Sequence, residues 1–110
     1  MKKNIKNKLL TALRSGKYTH TKGELEEIAK FSEDRTNKCC ALGVLMKING
    51  YDTWLIDNQW NGWGEDGQEL PSQELLEEWG MDEEESNEIA RYNDKAEDYN
   101  AVIKYIEENL

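Results

Sequence analysis

"KCCALGVLMKI", residues 38–48, is the stretch on which the fold turns. It is apolar nearly all round, shows no period-two alternation, and stops at Asn49–Gly50, a dipeptide suited to ending a helix. A helix apolar on every side is a buried one. With 37% hydrophobic and 34% charged residues, the chain has little apolar material, and this run concentrates it. Residues 38–48 are therefore expected to form a buried central helix. Gly43 in its middle costs about 1 kcal/mol relative to Ala, which predicts another element packed close at that point.

Shorter helices are expected on either side. Ile5, Leu9, Ala12 and Leu13 share one face of a helix over 4–15, with Asn4 as its cap and Ser15–Gly16 as its stop. Tyr18, His20 and Lys22 alternate with threonines, which suits a short strand over 17–22. Leu25, Ile28 and Ala29 are spaced like a helical turn, predicting a helix over 24–31, and "SEDRTN" (32–37) reads as a polar loop. After Gly50, Trp54 and Ile56 share a face of an extended segment. The dipeptides at 61–62 and 66–67 are tight-turn signals, so residues 51–71 predict a small hairpin or an extended Trp-rich segment.

Pro71 is expected to open a helix that buries Leu75, Leu76 and Trp79 and ends at Gly80. Asp82 and Glu85 form a capping-box pattern for the next, which should stop at Asn93 in a left-handed turn. Asp98 caps a last helix with Tyr99, Val102, Ile103, Ile106 and Leu110 on one stripe. The whole is a mainly helical α+β protein of five or six short helices. Its 110 residues suffice for one domain with one core.

Charge is divided unevenly. Residues 1–50 carry 11 Lys or Arg against 5 Asp or Glu, and residues 51–110 carry 3 against 18, for a net charge of −9. The acidic half repels nucleic-acid phosphates and attracts basic partners. Direct nucleic-acid binding is therefore not expected, and a protein partner is, a basic or DNA-binding one among the candidates. The 14 acids from Glu65 to Asp98 could mimic a phosphate backbone if folding aligned them on one surface. No apolar stretch is long enough to span a bilayer, and the basic N-terminus lacks a cleavage site. Adjacent cysteines make no disulfide framework. A cytoplasmic setting is expected.

The chemistry-bearing residues are few. Cys39 and Cys40 lie at an expected helix N-terminus, His20 is the one histidine, and Asn93 could complete a Cys–His–Asn set. Free cysteines are also among the most buried residues, and core packing explains the pair without chemistry. A cysteine-dependent hydrolase or transferase using Cys40 or Cys39 with His20 is the enzymatic alternative. No zinc spacing is present, and "DNQWNGWGEDGQ" (57–68) lacks the ligands of a calcium loop at its third and last positions, so neither metal nor cofactor is expected. Trp60 and Trp63 could form a recognition platform for a flat ligand or a partner, while Trp54 and Trp79 suit the core. Asn93 and Asp94 are further binding candidates, though turn and cap roles account for them.

With "CCALGVL" (39–45) and "YNDKAEDYNAVIKYIEE" (92–108) both in view, the chain resembles small uncharacterised proteins of tailed phages and bacteria. Those share a C-C-L-G-V-L or C-A-L-G-A-L box and an N-D turn before a final helix. "ALRSGKY" (12–18) and "LPSQELLEEWGM" (70–81) are similar too, in the same order. Ala41 blends the two versions of the box, Cys40 best matches the cysteine of the second, and Ala96 stands where a glycine is common. The resemblance implies a phage-related accessory protein and assigns no catalytic residue. Together with composition it favours a non-enzymatic binding module.

Overall fold

Glycine 43 has no room for a side chain: a Cβ there would lie 1.8 Å from the carbonyl oxygen of Leu25. The helix that carries it is the centre of the molecule. A computed structural model describes residues 1–28, 35–51, 53, 60–63 and 69–110, with backbone alone at 28, 35, 36 and 60–63. Within them, α1 (Lys3–Arg14) buries Ile5, Leu9, Leu10 and Leu13, and α2 (Ala41–Ile48) buries every residue from Ala41 to Met46. Helices α3 (Gln73–Glu78), α4 (Glu83–Asp94) and α5 (Asn100–Asn109) complete the helical set, with α2 packed against α1 and α4. The architecture is α+β and mainly helical, as the pattern of the sequence predicts.

Central helix α2 begins later than residue 38. Cys39 ends a strand, and Cys40 is the N-cap with an extended backbone (φ −72, ψ 170). Strand β3 (Arg35–Cys39) lies between β1 (Thr19–His20), parallel to it, and β2 (Glu26–Ile28), antiparallel to it. Apolar character alone cannot separate the end of a buried strand from the start of a buried helix; the ladder to Glu26 and His20 decides it here.

Residues 26–28 therefore form a strand where helical spacing predicts a helix. An eight-residue helix is marginal by itself, and β3 offers this segment a ladder. The expected polar loop over 32–37 is likewise overturned at Arg35–Asn37, which belong to β3; residues 29–34 lie outside the described set. Asn37 sits at the irregularity in the β2–β3 register with φ 56, a left-handed conformation that Asn tolerates better than most residues.

A hairpin follows, β4 (Trp60–Trp63) antiparallel to β5 (Glu69–Pro71). Its turn is not at 61–62, which lie inside β4; the second turn dipeptide, Trp54, Ile56 and most of the calcium-like stretch lie outside the described residues. Pro71 ends β5 rather than opening a helix. Ser72 is the cap of α3, its hydroxyl accepting the Leu75 N–H. Gly80 (φ +72) closes α3, with Gly80 N–H on the Glu77 carbonyl and Met81 N–H on that of Leu76. Trp79 is fully buried, as expected.

The capping box of α4 is present: Asp82 accepts the Glu85 N–H at 2.8 Å and Glu85 accepts the Asp82 N–H at 3.2 Å. The helix then continues past the expected stop, so Asn93 is helical and not left-handed. Asp98 accepts the Asn100 N–H at the start of α5, although Tyr99 holds the cap position. At α1, Asn4 lies within the first turn and supplies no cap.

Candidate functional site

Folding brings the two sequence boxes together. The β1–β3 register sets His20 beside Cys39, and α4 delivers Asn93 to the same place. His20 Nε2 lies 2.7 Å from the Asn93 carbonyl; a carbonyl only accepts, so Nε2 carries a proton. The His20 ring meets the Tyr99 ring edge-on at 5.2 Å, and the Tyr99 hydroxyl donates to the Cys39 carbonyl at 2.6 Å. The Cys–His–Asn set of the sequence is thus a cluster in space.

Its polar groups are committed to holding backbone. The fully buried Asn93 accepts the Ala41 N–H through Oδ1 at 3.0 Å, and its Nδ2 donates to the Thr21 carbonyl and to Asp94, each at 2.9 Å. Cys40 caps α2 without a side-chain hydrogen bond, so Asn93 supplies from α4 an acceptor that the local sequence lacks. Asp94 accepts the Gly23 N–H at 3.2 Å. These two binding candidates join the β1–β2 turn, the start of α2 and the end of α4.

Both cysteines are buried, at 0% and 4% exposure. Burial pushes the Cys40 thiol up to about 12; the Gly43 and Leu42 N–H groups oppose this, and Cys39 and Asp94 add to it. Nucleophilic cysteine chemistry needs the thiolate in reach of substrate; both side chains are buried, and the Cys40 thiol is held in its neutral form. Burial also raises the Tyr99 hydroxyl far above its ordinary value, with Cys39 the next cause. The cluster has the chemistry of a core junction.

A second polar cluster is not apparent in the sequence. Glu26, 3% exposed, accepts hydrogen bonds from Lys47 Nζ at 2.7 Å, the Asn37 N–H at 3.1 Å and the Thr53 hydroxyl. Lys47 also donates to Asn37 Oδ1 at 2.8 Å. Burial acts to raise the Glu26 carboxyl, but these bonds and the lysine charge outweigh it and hold it below the ordinary range. The one clue in the sequence is Lys47, the single charge inside an apolar helix.

The surface is divided by charge. Glu74, Glu77 and Glu78 on α3, with Asp82, Glu83 and Glu84 at the start of α4, are all exposed, and no Lys or Arg occurs between Lys47 and Arg91. Arg14–Glu107 and Lys22–Glu97 pairs link the basic and acidic halves elsewhere. Trp60 and Trp63 belong to β4, their side chains outside the described set. Among the described residues no group of three His, Cys, Asp or Glu is placed to hold a metal ion, and no helix is long and apolar enough to cross a membrane.

No curated protein and no solved structure matches the chain. A family model, "Domain of unknown function (DUF8296)", matches residues 1–68, from α1 through the first box and the central helix to β4. That match covers more than half of the sequence, and the chain belongs to the DUF8296 family.

Proposed function

We propose that this DUF8296 protein is a phage-type accessory protein of the bacterial cytoplasm, a non-enzymatic module that binds a basic host or phage macromolecule through its acidic face. The observation that carries the reading is the run of exposed carboxylates from Glu74 to Glu84 on two successive helices, with no cation in the segment. Such a surface raises the local concentration of cationic partners and offers carboxylates where a DNA-binding protein takes phosphates. Burial of both thiols counts against the cysteine-enzyme alternative. The wider resemblance of "CCALGVL" and the N-D segment to phage proteins supports the biological setting.

The test places a photo-crosslinking residue at Glu84 or, on α5, at Lys104, in bacteria producing the chain. The expected result is an adduct with a Lys/Arg-rich protein from position 84 only, lost in the E74K/E77K/E83K variant and suppressed in lysate by added duplex DNA. Equal adducts from both positions, or an adduct that survives charge reversal, would overturn the proposal.

A further inference from the structure

The outer flank of α1 borders a trough of about 500 Å³ that the reading above does not use. Asn7, Thr11 and Ser15 follow one another at four-residue spacing along α1, and Tyr18 and Ile48, from outside that helix, also line it. Eight residues of helix rise about 12 Å, so the trough is elongated along α1. Its shape suits a rod laid beside the helix better than a compact ligand. Four-residue ridges are the surface into which a second helix packs.

The lining is mainly apolar, with Ala12, Tyr18 and Ile48 partly exposed there. Thr11 and Ser15 turn their hydroxyl protons onto the α1 carbonyls of Asn7 and Ala12. Lys8 and Lys17 flank the trough, and among the described residues no carboxylate lines it and neither lysine is paired with an acid. In a chain of net charge −9 this is a locally cationic, apolar place.

We propose that this trough receives a short amphipathic helix of a partner protein, its apolar side chains over Ala12, Tyr18 and Ile48 and its acidic residues toward Lys8 and Lys17. Helix-in-groove recognition uses this combination of an apolar seam and a charged rim. A second copy of the chain fits less well. Its acidic helices α3 and α4 bury Leu75, Leu76, Trp79 and Ile89 in their own core, leaving carboxylates without apolar anchors for the trough. This inference stands apart from the acidic-face proposal, since it concerns another surface and the opposite charge.

The experiment is an amide NMR titration of the full chain with two synthetic helical peptides sharing one Leu stripe, flanked by Glu in one and by Lys in the other. The expected result is shifts confined to residues 7–18 and around Ile48 with the Glu-flanked peptide, binding at least tenfold tighter than the Lys-flanked one, and weakening with salt. The K8E/K17E variant, altered only at exposed positions, should lose at least tenfold in affinity for the Glu-flanked peptide while keeping its fold by circular dichroism. Equal response to both peptides, shifts mapping elsewhere, or no shift at millimolar peptide would overturn the proposal. So would concentration-dependent shifts at the trough without peptide, which would identify a second copy as the occupant.

Discussion

The side-chain oxygen of Asn93, near the end of α4, accepts the backbone N–H of Ala41, the first residue of α2, at 3.0 Å. One box of the sequence thereby caps the other. Asn93→Ala leaves the Ala41 N–H and the Thr21 carbonyl without this partner, and should cost about 2–4 kcal/mol in urea unfolding. Asn93→Asp keeps an acceptor but loses the donor and sets a second carboxylate against Asp94. It should be comparably destabilised at pH 7 and partly recover toward pH 4. Losses under 1 kcal/mol in both variants would show that α2 does not depend on this cap.

Gly43→Ala gives the opposite of what helix propensity alone dictates. An exposed helix would gain about 1 kcal/mol from the change. Here the new Cβ would meet the Leu25 carbonyl at 1.8 Å, a backbone contact with no side chain to move aside. A net loss of about 2–4 kcal/mol is expected from overpacking, measured by thermal or urea unfolding. Any stabilisation would mean that the Leu25 backbone is not held against α2.

Cys39 and Cys40 should resist iodoacetamide in the native protein. With the Cys40 thiol pushed up to about 12 and both side chains buried, labelling at pH 8 should run at least about a hundredfold slower than for an unfolded control. The rate should follow unfolding rather than thiol ionisation. Fast labelling with a midpoint below about 8.5 would return the cysteines to a chemical role.

Glu26 makes stability depend on pH in a defined direction. Its folded pKa is depressed, so its contribution is complete above the unfolded value of about 4.3 and is lost as pH falls through the folded value. Glu69, raised chiefly by burial, acts in the other sense. Urea titrations from pH 7 to pH 3 should show Glu26→Gln less stable at pH 7, with the gap to the parent narrowing on acidification. A gap of constant size would remove Glu26 from the acid response. Lys47→Met should cost about 2–4 kcal/mol at pH 7, and less in the Glu26→Gln background, because it strands a buried carboxylate.

Much of the fold is legible because several elements carry their own signals. The Asp82–Glu85 capping box is local, and the stripe of α5 keeps its period. Gly43 was readable as a close approach because a glycine inside an apolar helix has a propensity cost that packing must offset. The helix expected over 24–31 is overturned at 26–28 because a short segment with apolar spacing fits either state, and the deciding ladder comes from β3. Asn93 failed as a helix stop for a similar reason, since its role is set by Ala41 and Thr21, more than fifty residues away.

The sequence by itself determined the mainly helical α+β class, a buried central helix within 38–48 and the separation of charge between the halves, because these follow from local periodicity and composition. Tertiary structure decided where Cys39 leaves strand for helix, that Asn93 caps α2, that Glu26 is buried on Lys47, and that a cation-rimmed trough runs beside α1. Each of these depends on pairing between residues distant in the chain. The free energy of a buried hydrogen bond or ion pair belongs to both partners, and no local window contains both.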